Sequence, residues 1–397
     1  MGQLWRRTPY RASDWFGKRL LDEARAYAKP RHRIKFASSA LGFAALVVFI
    51  VVGAGPWMAD AVGGPWPVQL VAVVGALLAM ATLVDLPFEA YIQLVYDKRF
   101  GLSTLTAGRF AVDQVKDLVI QSVLMSVALL PVYAAIRWTD MWWLYGWAAF
   151  MAVQVVVVFV YPILIMPRFN KFTPLPDGEL RSRIEAVAAK ADTKIEGVYT
   201  MDASKRTSRS NAFVAGFGPS KRVVLFDTIV DDPPELVEQI VAHEIGHYRL
   251  KHIPKSFPFL GLVFLAAFLF IRMVTAWDPL LELAGVDSLG DPAGVPLFIL
   301  TFGAAFFGLQ MVIAWFTRFK EREADLDCLE LLRDPRAFIE VWRTLAPKDK
   351  VELEPSWWTK LNHSHPEVPE RMAFAKAWAD ANGVPLEVPE PLESVGS

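Results

Sequence analysis

Six long apolar runs constrain the fold of this 397-residue chain more than any other feature. Four of them, residues 36–55, 118–136, 142–165 and 295–316, contain no charged residue. A membrane-spanning helix needs about 20 mostly apolar residues to cross a hydrocarbon layer of about 30 Å, and these four runs meet that length. The sequence therefore predicts at least four helices that cross a bilayer.

Two further runs are close to the minimum length. Residues 68–84 are followed by Asp85, and residues 257–271 are followed by Arg272, whose long side chain could extend the helix by reaching the membrane surface. The alternative for residues 257–271 is a buried core helix or a re-entrant segment. With both runs included, the chain is predicted to cross the membrane about six times.

Composition agrees with a membrane protein and excludes disordered chains and ordinary soluble enzymes. Apolar residues make up 54% and charged residues 21% of the chain, against about 45–50% and about 25% in a soluble domain. The 41 basic and 42 acidic residues almost cancel, so no nucleic-acid partner is expected, because phosphate binding needs a basic surface. The single cysteine, Cys328, excludes an intramolecular disulfide framework and a cysteine-rich zinc module.

The charge on the connecting segments predicts the orientation. Residues 1–35 hold ten Lys or Arg and three acids, residues 93–117 hold four basic residues, and residues 276–294 hold four acids and no basic residue. Because basic loops stay on the cytoplasmic side, the N-terminus, the 93–117 loop and everything after residue 166 except 276–294 are expected in the cytoplasm. The first apolar run has no clear cleavage site and is interpreted as a membrane helix, not as a signal peptide.

Two polar parts, residues 167–256 and 317–397, contain the other predicted elements. Gly218-Pro219-Ser220 is a turn signal between two strand-like runs, so a β-hairpin is expected there. The Pro- and Glu-rich tail, residues 384–397, is expected to be frayed. The expected strands are 197–201, 211–217 and 222–226, and the expected helices lie near 178–191, 317–333, 335–346 and 366–382.

A further helix, predicted to start at Asp232 and to end before Pro254, carries an H-E-x-x-H motif. In a helix, His243 and His247 lie one turn apart on one face, so both imidazoles can bind one zinc ion, with Glu244 beside them as a general base. Val241, Ala242, Ile245 and Gly246, before and within the motif, are uncharged, as a buried site requires. The alternative is a helix that merely has two histidines on one face.

A catalytic zinc ion needs a third protein ligand and one open position. His252 is nearest in sequence, but continuous helical spacing turns it about 140° from His247, away from the site. On the helix near 317–333, Glu321 and Asp325 share a face, so Glu321 could bind zinc while Asp325 orients a ligand histidine. Glu321 could equally belong to an ordinary surface charge pattern, and spacing alone leaves both interpretations open.

Two neighbours on this helix are expected to have other roles. Glu323 is turned about 200° from Glu321 and is expected to meet solvent. Cys328 lies on the face of Glu321, but a small core residue is a better interpretation of it than a ligand.

The sequence resembles a known family, the integral-membrane zinc metalloproteases of the CAAX prenyl protease type I group. The resemblance covers roughly residues 30–380, with its motifs in the same order. An H-E-x-x-H motif alone would indicate only a zinc protease, whereas the Ser-Asn-Ala-Phe stretch at 210–213 and the Leu-Phe-Asp-Thr stretch at 225–228 are typical of this group. The motifs are residues 96–103, 161–162, 169–175, 204–213, 222–228, 243–247, 321–325, 364–366 and 370–371.

This resemblance implies the identity of the metal site. It implies one zinc ion per chain, with Glu321 as the third ligand beside His243 and His247. It also implies that Asp325 lies behind a ligand and orients it.

The resemblance further implies the residues that act on substrate. Glu244 would be catalytic, and His365 and Arg371 would line the site and help to hold substrate or the oxyanion of the tetrahedral intermediate, which fixed cationic donors stabilise. His363 is close to His365 in sequence, so the two could exchange roles.

The strand at 211–217 would otherwise be interpreted as a plain hairpin strand. In the family, the matching strand pairs with extended substrate, which recognises backbone and not side chains. Asn211, Ala212 and Phe213 are therefore candidate substrate-binding residues. The substrate is expected to be a peptide or protein, including C-terminally lipidated or membrane-bound ones, and membrane lipids are further partners.

The sequence departs from the family in one respect. The eukaryotic members have seven membrane helices that enclose a water-filled chamber, whereas six apolar runs occur here. The missing helix is the first, and the basic stretch 1–35 takes its place. Whether six helices enclose the chamber completely is therefore an open question at the sequence level.

Taken together, the sequence predicts a mainly α, polytopic membrane protein of about six transmembrane helices with a small cytoplasmic α/β, zincin-like catalytic portion. It is expected to be a multi-pass zinc endopeptidase of the bacterial inner membrane or the endoplasmic reticulum, with its N-terminus and active site facing the cytoplasm. The expected division is a basic N-terminal segment (1–35), four transmembrane helices (36–166), a catalytic portion (167–256), a transmembrane hairpin (257–316), a helical portion with the third ligand (317–383) and a tail (384–397).

Three alternative functions remain at the sequence level. One uses the same chemistry, as a quality-control protease for membrane proteins. Another is a transporter with a structural metal site, which is disfavoured because charges avoid the centres of the apolar runs. The third, a catalytically silent scaffold, is disfavoured because Glu244 stands beside both histidines.

Overall fold

The computed structural model describes residues 8–216 and 221–394, most of which are helical. The helices that precede the sheet are Lys18–Val51 (α1), Ala54–Val62 (α2), Trp66–Tyr91 (α3), Ala107–Trp138 (α4) and Trp142–Val160 (α5). The later helices are Glu179–Lys190 (α6), Pro234–Arg249 (α7), His252–Val274 (α8), Asp278–Leu283 (α9), Val295–Leu332 (α10), Pro335–Lys348 (α11), Trp357–Asn362 (α12) and Val368–Asn382 (α13).

Within the described residues, six helices are long and apolar enough to span a bilayer, namely α1, α3, α4, α5, α8 and α10. Short helical segments prolong α3 through Ile92–Tyr96 and Asp97–Arg99, and α5 through Tyr161–Ile165 and Met166–Phe169. The run at 257–271 lies within α8, which has 23 residues. The predicted class, a mainly α polytopic membrane protein, is confirmed.

Several spanning helices, among them α1 and α10, are much longer than a bilayer is thick. The 34 residues of α1 and the 38 residues of α10 correspond to about 51 Å and about 57 Å at 1.5 Å per residue, against about 30 Å of hydrocarbon. Each helix therefore projects from the membrane at one end. The projecting end of α10 carries Glu321 and Asp325, so a membrane helix contributes directly to the polar part of the molecule.

The sheet has four strands among the described residues, in the order β1-β2-β4-β3. The strands are Phe172–Pro174 (β1), Gly197–Met201 (β2), Ala212–Ala215 (β3) and Arg222–Phe226 (β4). Strands β3 and β4 pair antiparallel and confirm the hairpin, although its turn, Gly218-Pro219-Ser220, lies outside the described residues. Because β3 lies at the end of the sheet order, one of its edges remains open to pairing.

The largest core of the polar part also includes the N-terminal segment. Phe16 and Leu20 are buried in the same cluster as Ile245 of α7 and Trp378 of α13. The tail was expected to be frayed, but the N–H of Leu392 donates to the carbonyl of Trp15 at 3.0 Å, and the two segments form a short parallel bridge. The expectation was wrong at Leu392 because this backbone finds partners in a distant part of the chain.

Candidate active site

The H-E-x-x-H residues lie in the last two turns of α7. The helix begins at Pro234, and its buried residues Val241, Ala242 and Ile245 face the core. That packing turns His243 and His247 to the opposite, half-buried side, where their Nε2 atoms lie 3.2 Å apart. The two imidazoles are therefore close enough to bind one ion.

Glu321 completes this cluster from α10, which packs against α7. Its carboxylate is buried, with Oε2 3.3 Å from His243 Nε2 and Oε1 3.4 Å from His247 Nε2. Ligand atoms of the three residues all lie within 4.8 Å of one another. Tetrahedral ligands about 2.0–2.2 Å from one zinc ion would be about 3.3–3.6 Å apart, so the observed separations fit a metal ion.

A second observation supports a metal at this position. Oε2 of Glu321 is buried and makes no hydrogen bond among the described residues. A buried carboxylate oxygen without a partner is costly, and a cation between the imidazoles would remove that cost. Two imidazoles and one carboxylate are also a donor set typical of catalytic zinc.

Asp325 contacts the ring nitrogen of His243 that points away from the ligand cluster, and Arg371 is hydrogen-bonded to Asp325. Oδ1 of Asp325 lies 3.0 Å from His243 Nδ1, and Arg371 Nε donates to Oδ2 of Asp325 at 2.8 Å. Both side chains are buried. A hydrogen bond from the second ring nitrogen to a carboxylate fixes the tautomer and orientation of a ligand histidine, so Asp325 is positioned for the role that the resemblance implies.

His252 and Glu323 hold His247 in a similar way, which the sequence did not predict. His252 Nδ1 lies 2.9 Å from His247 Nδ1, and His252 Nε2 lies 3.3 Å from Glu323 Oε2. The expected direction of His252 was wrong because α7 ends at Arg249 and Lys251 takes a left-handed φ of 55°, so one continuous helix cannot be extrapolated. Glu323 was expected to meet solvent, but its carboxylate contacts His252.

Glu244 lies at a cavity of about 190 Å³ that His243, His365 and Arg371 also line. Burial raises the pKa of Glu244 to about 7, a value suited to proton exchange near neutral pH. Burial lowers the pKa of His247, which favours the neutral imidazole that metal binding requires.

His365 is closer to the cluster than His363. His365 Nε2 lies 3.5 Å from Glu321 Oε2, and its Nδ1 is hydrogen-bonded to Ser364 Oγ at 2.8 Å. His363 contributes its backbone carbonyl to Arg318 and does not line the cavity at Glu244. Of the two candidates, the structure therefore brings His365 to the site.

The candidate substrate strand approaches the same cavity. Asn211 lines it, Ala212 is buried, and Phe213 packs against a small cluster that includes Val224. The carbonyl of Asn211 accepts a hydrogen bond from the N–H of Phe226 at 3.0 Å.

That hydrogen bond shows which backbone groups of β3 point towards β4 and which point to the open edge of the sheet. Backbone groups of an antiparallel strand point alternately to either side, and the carbonyl of Asn211 points towards β4. The N–H and C=O groups of Ala212 and Val214 therefore point away from β4, where an extended peptide could pair with them.

Two further residues at the cavity were missed by sequence reasoning. Trp342 of α11 lies under Arg371, with the guanidinium carbon 4.0 Å from the ring centroid. Asp349, whose pKa burial raises to about 6, accepts the backbone N–H of Ser210 at 3.1 Å and so holds the chain that leads into β3. Both residues follow from tertiary packing, and the sequence carries no local signal for either.

Comparisons with known proteins agree with this geometry. Residues 174–379 match the model of peptidase family M48, and residues 4–171 match a model described as CAAX prenyl protease N-terminal, five membrane helices. The chain is 31% identical over 317 residues to the uncharacterized metalloprotease YhfN of Bacillus subtilis, covering 78% of this chain and 73% of that protein.

Two further similarities concern yeast proteins. The chain is 37% identical over 190 residues to CAAX prenyl protease 1 of Saccharomyces cerevisiae, covering 47% of this chain and 42% of that protein. The crystal structure of S. mikatae Ste24p superimposes with a TM-score of 0.78 at 26% identity, covering 90% of this chain and 88% of that chain.

Proposed function

Because the chain belongs to peptidase family M48 and is a multi-pass membrane metalloendopeptidase, we propose that His243, His247 and Glu321 hold one zinc ion for peptide-bond hydrolysis. The observation that carries this proposal is the cluster of three ligand atoms within 4.8 Å, with Glu244 next to it in the same helix. When bound, zinc polarises a carbonyl group and makes water more acidic.

The side chains of this protein supply the remaining chemistry. Glu244 takes the proton of the attacking water and passes it to the leaving amine, as a general base and then a general acid. Asp325 keeps His243 in the tautomer that leaves Nε2 free for the metal.

We further propose that His365 donates to the carbonyl oxygen of the substrate as negative charge develops there. Its exposed ring and its distance of 3.5 Å from Glu321 support this role. Arg371 is committed to Asp325 through two hydrogen bonds, so its main contribution is to fix Asp325 and, through it, His243.

The substrate is a peptide or protein, and we propose that C-terminally lipidated, membrane-bound proteins are among its substrates. Support comes from the similarity to proteins that are named CAAX prenyl proteases. The matched families do not favour the alternatives of a quality-control protease or of a transporter with a structural metal site.

We infer that the N-terminus and the active site face the cytoplasm of a bacterial inner membrane or of the endoplasmic reticulum. The support is the charge pattern: ten basic residues within 1–35 and four acids without a basic residue within 276–294. In this orientation the divisions 1–35, 167–256 and 317–383 together form the cytoplasmic portion.

The mechanism is tested by replacing Glu244 with Gln. The E244Q protein is expected to keep its zinc, because the ligands are unchanged, and to lose peptide cleavage by at least about 100-fold, because the general base is gone. Cleavage is measured with a fluorogenic peptide and zinc by elemental analysis. E330Q, on the exposed face of α10, is the matched control and should be fully active; full activity in E244Q would contradict the mechanism.

The substrate class is tested with one peptide in two forms, carrying either a farnesylated or a carbamidomethylated C-terminal cysteine motif. The farnesylated form is expected to have a KM lower by at least about tenfold, since each buried CH₂ group contributes about 0.8 kcal/mol. Equal KM values would exclude recognition of the lipid. Preferential cleavage of a misfolded membrane protein would favour the quality-control alternative.

A further inference from the structure

Helix α12, between α11 and the loop that carries His365, presents an unusual exposed surface. Its two tryptophans are both exposed, Trp357 at 70% of its full surface, and Leu361 is exposed beside them. The opposite side of the helix carries the partly buried Thr359 and Asn362, and Lys360, exposed at the flank, pairs with Glu367 at 2.8 Å. A short helix with this division of side chains is typical of a segment that lies in a membrane interface.

The position of α12 along α10 agrees with such a location. The ring of Trp358 lies 6.0 Å from the ring of Phe307, which belongs to the charge-free run 295–316. The first charged residue after that run is Arg318, and Phe307 precedes it by 11 residues, or about 16 Å along the helix axis. Trp358 therefore lies alongside the apolar part of α10 and not beyond its end.

The apolar surface of α12 continues onto α10. Phe307 is 58% exposed and Trp315 is exposed to the same degree, and helical spacing places the two within about 80° on one side of α10. Phe307 joins Trp357 and Trp358 in one aromatic surface, and Trp315 is exposed further along the same side of α10. Tryptophan is enriched at membrane interfaces because its ring is apolar and its N–H is polar. This continuity with the apolar face of a spanning helix favours lipid as the occupant.

Helix α12 is also connected to the active site. Arg318 donates to the carbonyl oxygens of Lys360 at 3.0 Å and Leu361 at 3.2 Å, and also to that of His363. These carbonyls would otherwise lack partners at the end of a helix. Arg318 precedes the ligand Glu321 by less than one turn, and the loop it holds ends at His365.

We propose that α12 is a membrane-docking helix that seats Trp357 and Trp358 in the lipid interface and thereby positions the loop of His365 at the active site. The docking follows from the surface and its depth alone. The effect on His365 rests on the proposed function, so the two parts are tested separately. His365 touches the reacting groups, whereas the tryptophans act only through the position of the loop.

Docking is tested by a spin label at position 357 in the full chain, reconstituted in phosphatidylcholine and phosphatidylglycerol vesicles. Cys328 is fully buried, so the unsubstituted chain gives the labelling background. The collision rates of the W357C label with oxygen and with a water-soluble nickel chelate are compared. The label should collide more often with oxygen, as a label at Leu262, exposed on α8, should do. A W357C label that collides more often with the nickel chelate, as a label at Lys376 on α13 should do, would overturn docking. This outcome does not depend on whether the protein cleaves peptides.

Positioning is tested by cleavage in the same vesicles. The double variant W357S/W358S should lose roughly tenfold in kcat, since a small displacement of a catalytic group is costly, while its zinc content stays unchanged. The double variant W357F/W358F should recover most of that loss. W277S, which removes an exposed tryptophan just after the C-terminal end of α8, should keep its kcat unchanged. Unchanged kcat in W357S/W358S would overturn the positioning role.

Discussion

At the scale of single residues, each histidine of the candidate metal site has a carboxylate partner behind it. His243 contacts Asp325 directly, while His247 reaches Glu323 through His252. Such partners orient ligands, and their loss typically lowers metal affinity 10–100-fold. The local geometry of the H-E-x-x-H motif could be predicted from the sequence, because it depends only on helical spacing.

His252 provides a test of this arrangement. Replacing His252 with Ala should weaken zinc binding by about 10–100-fold, because His247 loses the group that fixes its ring. The measurement is competition with a chelator of known affinity. H32A, which removes a half-exposed side chain that pairs with Glu352, is the control. Equal zinc affinity in H252A and H32A would contradict the role of His252.

The roles of His252 and Glu323 could not be predicted from the sequence. Extrapolation of α7 past Arg249 assumes helical dihedrals, and the left-handed φ of Lys251 ends that regularity. Glu321 could be identified as a candidate from its spacing to Asp325, but spacing alone could not separate a ligand from a surface charge. In the structure, the burial of Glu321 and its Oε2 atom without a hydrogen bond favour the ligand.

At the scale of elements, the charge-free runs were sufficient to predict the spanning helices, since a bilayer demands a length and an apolar composition. They did not predict that α1 and α10 would continue beyond the membrane into the polar part. Those extensions depend on packing, such as that of Leu20 in the core of the polar part. The same applies to Leu392, whose partner Trp15 is far away in sequence.

Strand β3 makes a prediction at this scale. V214P should leave the pairing with β4 intact, because the N–H of Val214 points away from it, and proline is tolerated at such edge positions. We expect kcat/KM to fall by about tenfold or more, since the substrate loses a backbone partner and meets the proline ring. V214A keeps the N–H and is the control. Equal kcat/KM in the two variants, at equal thermal stability, would exclude pairing of substrate with this edge.

At the scale of the whole molecule, the net charge of −1 is the sum of segregated parts. Basic residues gather in the N-terminal segment, acids gather at 276–294, and the spanning runs carry almost no charge. This segregation is what allows one chain to hold six membrane helices and a polar catalytic portion. The proposed zinc ligands come from both parts, since α7 belongs to the polar portion and Glu321 to a helix long and apolar enough to span the membrane.

The central claim is that this protein is a zinc peptidase, and metal-dependent cleavage by the purified protein tests it most directly. The protein should contain one zinc ion per chain by elemental analysis, lose peptide cleavage on chelation and regain it when zinc is added. E321A is the control; it should bind no zinc after the same treatment and recover no cleavage. Cleavage that continues in the metal-free protein, or stoichiometric zinc in E321A, would contradict the account.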